Sequence, residues 1–207
     1  MVVQPRGTGW LEVICGPMFS GKTEELIRRL RRAQIARQRV QVFKPAVDVR
    51  YARAEVVSHS DQRLQATPAA TSAQIVEGLL PDTDVVGIDA AQFFDRGVVD
   101  VVDRLATSGL RVVVAGLDTD YRAESFDPLP DLMARAEYVT KLLAICVRCG
   151  NPANRSLRIA GGDSLVEVGA GDRYEAVCRA CYAEAQGARL EAVRGAGLRA
   201  AGGIAPT

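Results

Sequence analysis

Most of what marks a nucleic-acid or membrane protein is missing from this sequence. Its 26 lysines and arginines stand against 25 aspartates and glutamates, a formal net charge of +1. Without a basic surplus to neutralise a phosphate backbone, binding nucleic acid is not its main task. No apolar run approaches the roughly 20 residues that span a bilayer, and the first residues lack a secretory-signal pattern. Together these absences lead to the expectation of a soluble, cytoplasmic protein. Histidine occurs once, at His59, and taken alone a structural role suits it better than a catalytic one. Hydrophobic residues, at 48% of 207, are ample for the core of one domain with a small appendage.

The most informative stretch is Gly16-Pro17-Met18-Phe19-Ser20-Gly21-Lys22-Thr23. It fills every fixed position of the phosphate-loop pattern G-x-x-x-x-G-K-[ST]. Trp10 to Cys15 before it reads as a buried strand, and Thr23 onward reads as a helix. A loop between a strand and a helix start offers backbone N–H groups and the positive end of the helix dipole to an anion. The two glycines allow close approach to phosphate oxygens. Lys22 is expected to reach the terminal phosphates and the Thr23 hydroxyl to ligate Mg²⁺.

Downstream, Leu26, Ile27, Leu30 and Ala33 give the helix an apolar face, while Arg28, Arg29, Arg31, Arg32 and Arg37 suit a solvated or subunit-facing surface. Val40 to Lys44 reads as a strand ended by Pro45, residues 46–68 as irregular with short β segments, and Thr71 to Leu80 as a helix. Val85 to Asp89 is an apolar strand ending in a carboxylate. In phosphate-loop enzymes such an aspartate helps hold Mg²⁺; the competing role is to cap the helix expected over Asp95 to Ser108. Arg111 to Leu117 is another buried strand, residues 118–128 a polar loop placed to hold a ligand, residues 128–136 a short helix, and Glu137 to Ile145 a final strand. Short buried strands alternating with helices imply an α/β fold, a largely parallel sheet flanked by helices.

Five cysteines are present, and four form the pairs Cys146-x-x-Cys149 and Cys178-x-x-Cys181. Two such knuckles provide tetrahedral S₄ coordination suited to Zn²⁺, in a closed and therefore structural site. A redox dithiol is the competitor, with no second-substrate or flavin signal behind it. A metal pinning both ends of residues 150–177 would let that segment fold as a loop over a small ligand. The expected boundaries are a nucleotide-binding domain over 9–141, a metal lobe over 142–186 and a disordered tail over 187–207.

Taken together these pieces resemble the type II thymidine kinase family. The resemblance is carried by Gly16 to Thr23, Asp48-Val-Arg-Tyr51, Ser58-His59, Asp89-x-x-Gln92-Phe93-Phe94, Gly116-Leu117-Asp118, Tyr121, Phe126-Asp-Pro128, and the knuckles with Asp172-Arg-Tyr174 between them. It covers about residues 9–185 and implies a RecA-like phosphate-loop sheet with a zinc-ribbon lobe bearing a lasso loop. The implied activity is transfer of the γ-phosphate of Mg·ATP to the 5′-hydroxyl of thymidine or deoxyuridine in nucleotide salvage. Met18, Phe93, Leu117, Tyr121, Phe126 and Tyr174 would surround the nucleoside. Ser156 and backbone groups of Leu165, Val166, Glu167, Val168 and Gly169 would contact it from the lobe. Asp48 and Arg50 would act near the sugar and the transferred phosphate, beside Lys22. A homotetramer and feedback inhibition by thymidine triphosphate are also implied.

One position departs from the family pattern. A glutamate, the general base for the 5′-hydroxyl, is implied where this chain has Ala90. Alanine accepts no proton, and general-base assistance is typically worth about 10²–10⁴-fold. An engineered knockout or a naturally silenced relative would both have this form. The alternative function is a silent nucleoside- and nucleotide-binding regulatory protein. A zinc-ribbon DNA-dependent ATPase would need a basic face or a further domain, and neither is evident.

Overall fold

The computed structural model describes residues 8–47, 55–57, 63–160 and 173–187. Asp48, Arg50, Tyr51, Ser58, His59, Leu165 to Gly169, Asp172 and the tail after 187 lie outside the described residues. In chain order the elements are β1 (Trp10–Cys15), α1 (Lys22–Ile35), β2 (Val40–Pro45), β3 (Glu55–Val57), β4 (Arg63–Gln65), β5 (Thr67–Ala69), α2 (Ser72–Glu77) and β6 (Val85–Ile88). A 3₁₀ turn (Ala91–Phe93), α3 (Gly97–Thr107), β7 (Arg111–Gly116), α4 (Leu129–Arg135) and β8 (Tyr138–Lys141) complete the larger part. The smaller part holds β9 (Ala144–Ile145), β10 (Pro152–Ala153), β11 (Arg155–Arg158), β12 (Tyr174–Val177) and α5 (Arg179–Ala185). No described helix is long and apolar enough to cross a membrane.

Six strands form one sheet in the order β5-β2-β6-β7-β1-β8, every pair parallel. Its central strands are buried on both faces, so β1, β6 and β7 are nearly continuous apolar runs. Successive side chains alternate between faces. Leu11, Val13 and Cys15 join Val112 and Val114 under α3 and α4, while Ile14 joins Val113 and Ala115 under α1. Leu26, Ile27, Leu30 and Ala33 are the buried stripe of α1, as the spacing predicts.

Three local expectations change. The helix expected over Thr71 to Leu80 spans only Ser72–Glu77, because the chain turns at Gly78, whose N–H still reaches Gln74 O at 3.0 Å. The strand expected over Glu137 to Ile145 is two strands in two sheets. Leu142 N–H donates to Cys15 O at 2.8 Å as the last bond to the main sheet, and the chain then leaves for the smaller part. Arg29 does not face solvent: its side chain is 14% exposed and pairs with Glu12 and Glu25 at 2.8 Å each.

That inward arginine meets a carboxylate on the α1 face of β1. Glu12 also accepts from Arg111 at 2.7 Å and from the Trp10 indole at 2.8 Å. Burial opposes ionisation of Glu12, but these donors and the two guanidinium charges outweigh it and hold the carboxyl below its usual range. Arg29 reaches on to Thr140 Oγ1 at 2.9 Å. The network therefore joins β7, β1, β8 and α1 beneath the strand that leads into the phosphate loop.

Candidate active site

Residues 16–23 turn from β1 into α1 at the carboxyl end of the sheet. Gly16 has φ +143°, and a Cβ there would fall 2.3 Å from Leu142 O. Gly21, at φ +81°, starts α1. Only glycine meets both demands without strain. Inside the loop, Ser20 Oγ donates to Pro17 O at 2.8 Å and Lys22 Nζ donates to the same carbonyl at 2.5 Å.

Across the loop stands the end of β6, with β7 between it and β1. Thr23 Oγ1 donates to Asp89 at 3.2 Å from Oδ2 and 3.3 Å from Oδ1. A hydroxyl and a carboxylate side by side next to an anion cradle are the hard oxygen donors that Mg²⁺ prefers. Asp89 thus stands at the Thr23 hydroxyl. It is Asp95 that serves α2 and α3, accepting from Ser72 N–H at 2.8 Å and Gly97 N–H at 2.9 Å. Those donors, Ser72 first, hold the Asp95 carboxyl below its usual range.

A cavity of about 210 Å³ opens between the loop and the strand ends. Met18 to Glu24 form one wall, and Asp89, Ala90, Gln92, Gly116 and Leu117 the other. Ala90 is buried and left-handed, at φ 51° and ψ 41°. Gln92 is fixed beside it, its Oε1 accepting from Leu117 N–H at 3.0 Å. The structure thus brings Lys22, Thr23, Asp89, Ala90, Met18 and Leu117 to one cavity.

Phe93, Tyr121, Phe126 and Tyr174 do not line it. Tyr121 and Tyr174 are instead joined through Arg158. Its guanidinium lies 3.7 Å from the Tyr121 ring centre, and Arg158 Nη2 donates to Tyr174 Oη at 2.9 Å. The polar loop after β7 folds on itself, with Phe126 N–H donating to Asp118 O at 3.1 Å and a bridge between Thr119 and Ser125. Asp118 itself is buried and pairs with Lys141 at 2.6 Å. Asp118 Oδ1 and Thr119 Oγ1 are buried without a hydrogen-bond partner among the described residues. Burial, then the Asp118 charge, pushes the nearby Cys15 thiol up and keeps it neutral.

In the smaller part the Sγ atoms of Cys146, Cys149, Cys178 and Cys181 all lie within 4.8 Å of one another. Four thiolates about 2.3 Å from a tetrahedral centre would stand roughly 3.8 Å apart, so the tetrad fits a metal ion with little adjustment. Gly150 makes the first knuckle turn at φ +74° and donates to Cys146 O at 2.9 Å; Cys178 caps α5. The Cys178 thiol is brought down from its ordinary value, by the Cys181 backbone N–H first. Burial opposes ionisation of Cys146, but backbone N–H groups of Cys178, Arg148 and Cys149 outweigh it and bring it down to about 6. Cys181 is pushed up to about 12, by the Cys149 side chain first.

Sequence patterns missed three contacts. Met18 N–H donates to the buried Ser156 Oγ at 3.0 Å, so Ser156 meets the phosphate loop. The Gln92–Leu117 bond and the Asp118–Lys141 pair likewise join residues far apart in sequence, where no local periodicity signals a partner.

A thymidine kinase family model matches residues 9–182. The chain belongs to the thymidine kinase family. It is 60% identical over 175 residues to a thymidine kinase of Rhodothermus sp. (strain ITI 518), covering 84% of this chain and 81% of that one. Among solved structures an ATPase domain is similar with TM-score 0.45 and 10% identity, over 64% of this chain and 68% of that one.

Proposed function

We propose that this thymidine kinase transfers the γ-phosphate of ATP to the 5′-hydroxyl of thymidine or deoxyuridine, and that Ala90 weakens the reaction in this form. The observation that carries the reading is the family match over residues 9–182, laid on a phosphate loop whose Thr23 meets Asp89. Loop N–H groups and Lys22 would hold the phosphates. Thr23 and Asp89 would hold Mg²⁺, which supplies charge neutralisation on the phosphates when bound. Met18 and Leu117 would bound the acceptor, with Phe93, Tyr121, Phe126, Ser156, Tyr174 and residues 165–169 completing the nucleoside pocket. Asp48 and Arg50 would approach the transferred phosphate.

Phosphoryl transfer through a loose transition state depends mostly on position and charge neutralisation. The cradle supports those two contributions, and proton removal is the missing one. The S₄ donor set supports zinc as the structural metal in the lobe, which we take to begin after Lys141. A homotetramer, thymidine triphosphate as feedback inhibitor and a cytoplasmic location follow from the family resemblance.

Ala90 also favours a second reading, a protein that holds nucleoside and nucleotide without turnover. Thymidine phosphorylation with Mg·ATP, measured on this chain beside Ala90→Glu, separates the two. Strong turnover only in the restored protein supports a kinase lacking its base. Silence in both, with nucleotide bound and the fold intact, supports the binding protein.

A further inference from the structure

Two residues of the phosphate loop are engaged by the metal lobe. The N–H of Met18 points to Ser156 Oγ on β11, and both residues are buried. The next residue, Phe19, turns left-handed at φ 63° and packs its ring against the lobe's small core. That core includes Leu157, Val177, Cys146, Cys178 and Cys181, so Phe19 sits on the same cluster that carries three of the four metal-fitting thiols. β11 is hydrogen-bonded to β12, which runs directly into Cys178. At the loop's other end Leu142 O crowds Gly16 where the chain enters the lobe.

A phosphate cradle is made of backbone, and its affinity depends on how well that backbone is held before the anion arrives. We infer that Phe19 and Ser156 are positioning residues through which the metal lobe holds the phosphate loop, so that metal occupancy and Mg·ATP affinity are coupled. This rests on the metal reading of the four cysteines and the nucleotide reading of the loop. Coupling of this kind is reciprocal: by whatever factor the metal tightens nucleotide binding, nucleotide tightens the metal.

The test is equilibrium binding of Mg·ATP, without thymidine, to zinc-loaded chain and to chain stripped by a soft-cation chelator. Stripping is expected to weaken Mg·ATP binding roughly tenfold, within the usual range for coupled sites. Phe19→Ala and Ser156→Ala shrink the loaded-to-stripped ratio toward one, and Ser156→Thr, which keeps the hydroxyl acceptor, retains most of it. Equal affinity in loaded and stripped chain, or an unchanged ratio in Phe19→Ala, overturns the coupling. Should the stripped chain unfold, zinc extraction from the loaded chain decides. Mg·ATP slows extraction if the sites are coupled, and slows it less in Phe19→Ala; extraction indifferent to Mg·ATP overturns the inference. A loaded chain that binds zinc but no Mg·ATP removes the nucleotide reading, and a chain that takes up no zinc removes the metal reading; either removes the coupling.

Discussion

The Thr23 hydroxyl is within reach of both Asp89 oxygens, 3.2 and 3.3 Å away, and so joins the helix that follows the cradle to the end of the strand that faces it. Removing the carboxylate charge should therefore act on the metal and not on the fold. Asp89→Asn is expected to raise the Mg²⁺ concentration needed for ATP binding by about 10–100-fold, the usual cost of disturbing a metal's immediate partners. Thr23→Ser, which keeps the hydroxyl, is expected to stay near the parent. A Mg²⁺ titration of ATP affinity checks both, and equal Mg²⁺ requirement in Asp89→Asn would remove Asp89 from the metal site.

Restoring a carboxylate at position 90 should raise thymidine turnover by about 10²–10⁴-fold. The atoms Ala90 lacks relative to glutamate amount to one acetate, and the residue lines the cavity beside Lys22 and Asp89. Added acetate is accordingly expected to raise turnover of this chain in a saturable way and to leave Ala90→Glu unchanged. Turnover insensitive to acetate and to Ala90→Glu alike would place proton acceptance elsewhere.

Gly16 tests the cradle's geometry. Alanine there would adopt a backbone conformation costing about 1–3 kcal/mol, and its Cβ would also meet Leu142 O at 2.3 Å. Gly16→Ala should lose ATP binding and lower the melting temperature together. Gly109→Ala serves as the control: it shares a positive φ, at +102°, but meets nothing within 4 Å. It should cost stability without touching nucleotide affinity. Calorimetric titration and thermal melts of the two variants distinguish these outcomes.

Glu12 sets an acid limit on stability. Its folded carboxyl is held below its ordinary value, so its contribution is complete above the unfolded pKa. It fades as pH falls below about 4.5 and through the folded value. Glu12→Gln leaves the partly buried Arg111 without the carboxylate it pairs with and Arg29 with Glu25 alone, and is expected to cost up to about 3 kcal/mol at neutral pH. The variant's stability should then be flatter across the acid range than the parent's. Parallel pH–stability curves would refute this.

Cys149→Ser and Cys178→Ser are expected to lower bound zinc, melting temperature and thymidine affinity together, since a metal held by the tetrad would tie together the two knuckles that flank the intervening segment. Metal content by elemental analysis and thermal melts check it. Unchanged values would assign the tetrad another role.

How much of this was readable beforehand depends on the range of each interaction. Gly16 to Thr23 and the two cysteine pairs announce themselves because their chemistry sits within a few consecutive residues. The stripe of Leu26, Ile27 and Leu30 was equally plain, because helical period is local. Glu12 was not: a lone acid inside an apolar strand gains its meaning from Arg111, brought near by the sheet order, and from Arg29, brought near by the packing of α1. Ser156 stayed obscure as a loop contact for the same reason, with Met18 far away in the chain. The break at Leu142 was hidden because both halves of 137–145 are compatible with a strand, and nothing nearby says that they belong to different sheets.

The order of strands has a consequence for how the chain is made. β1 lies between β7 and β8, so the strand carrying the phosphate loop finds neither neighbour until much later segments exist, with Trp10 opposite Arg111 and Glu12 opposite Tyr138. No hairpin can shelter it in the meantime, since all its pairings are parallel and cross long connections. A growing chain thus exposes an unpaired apolar edge from its earliest residues until β8 has been synthesised. That interval is when chaperones have most to protect, and chains cut short before Tyr138 should aggregate.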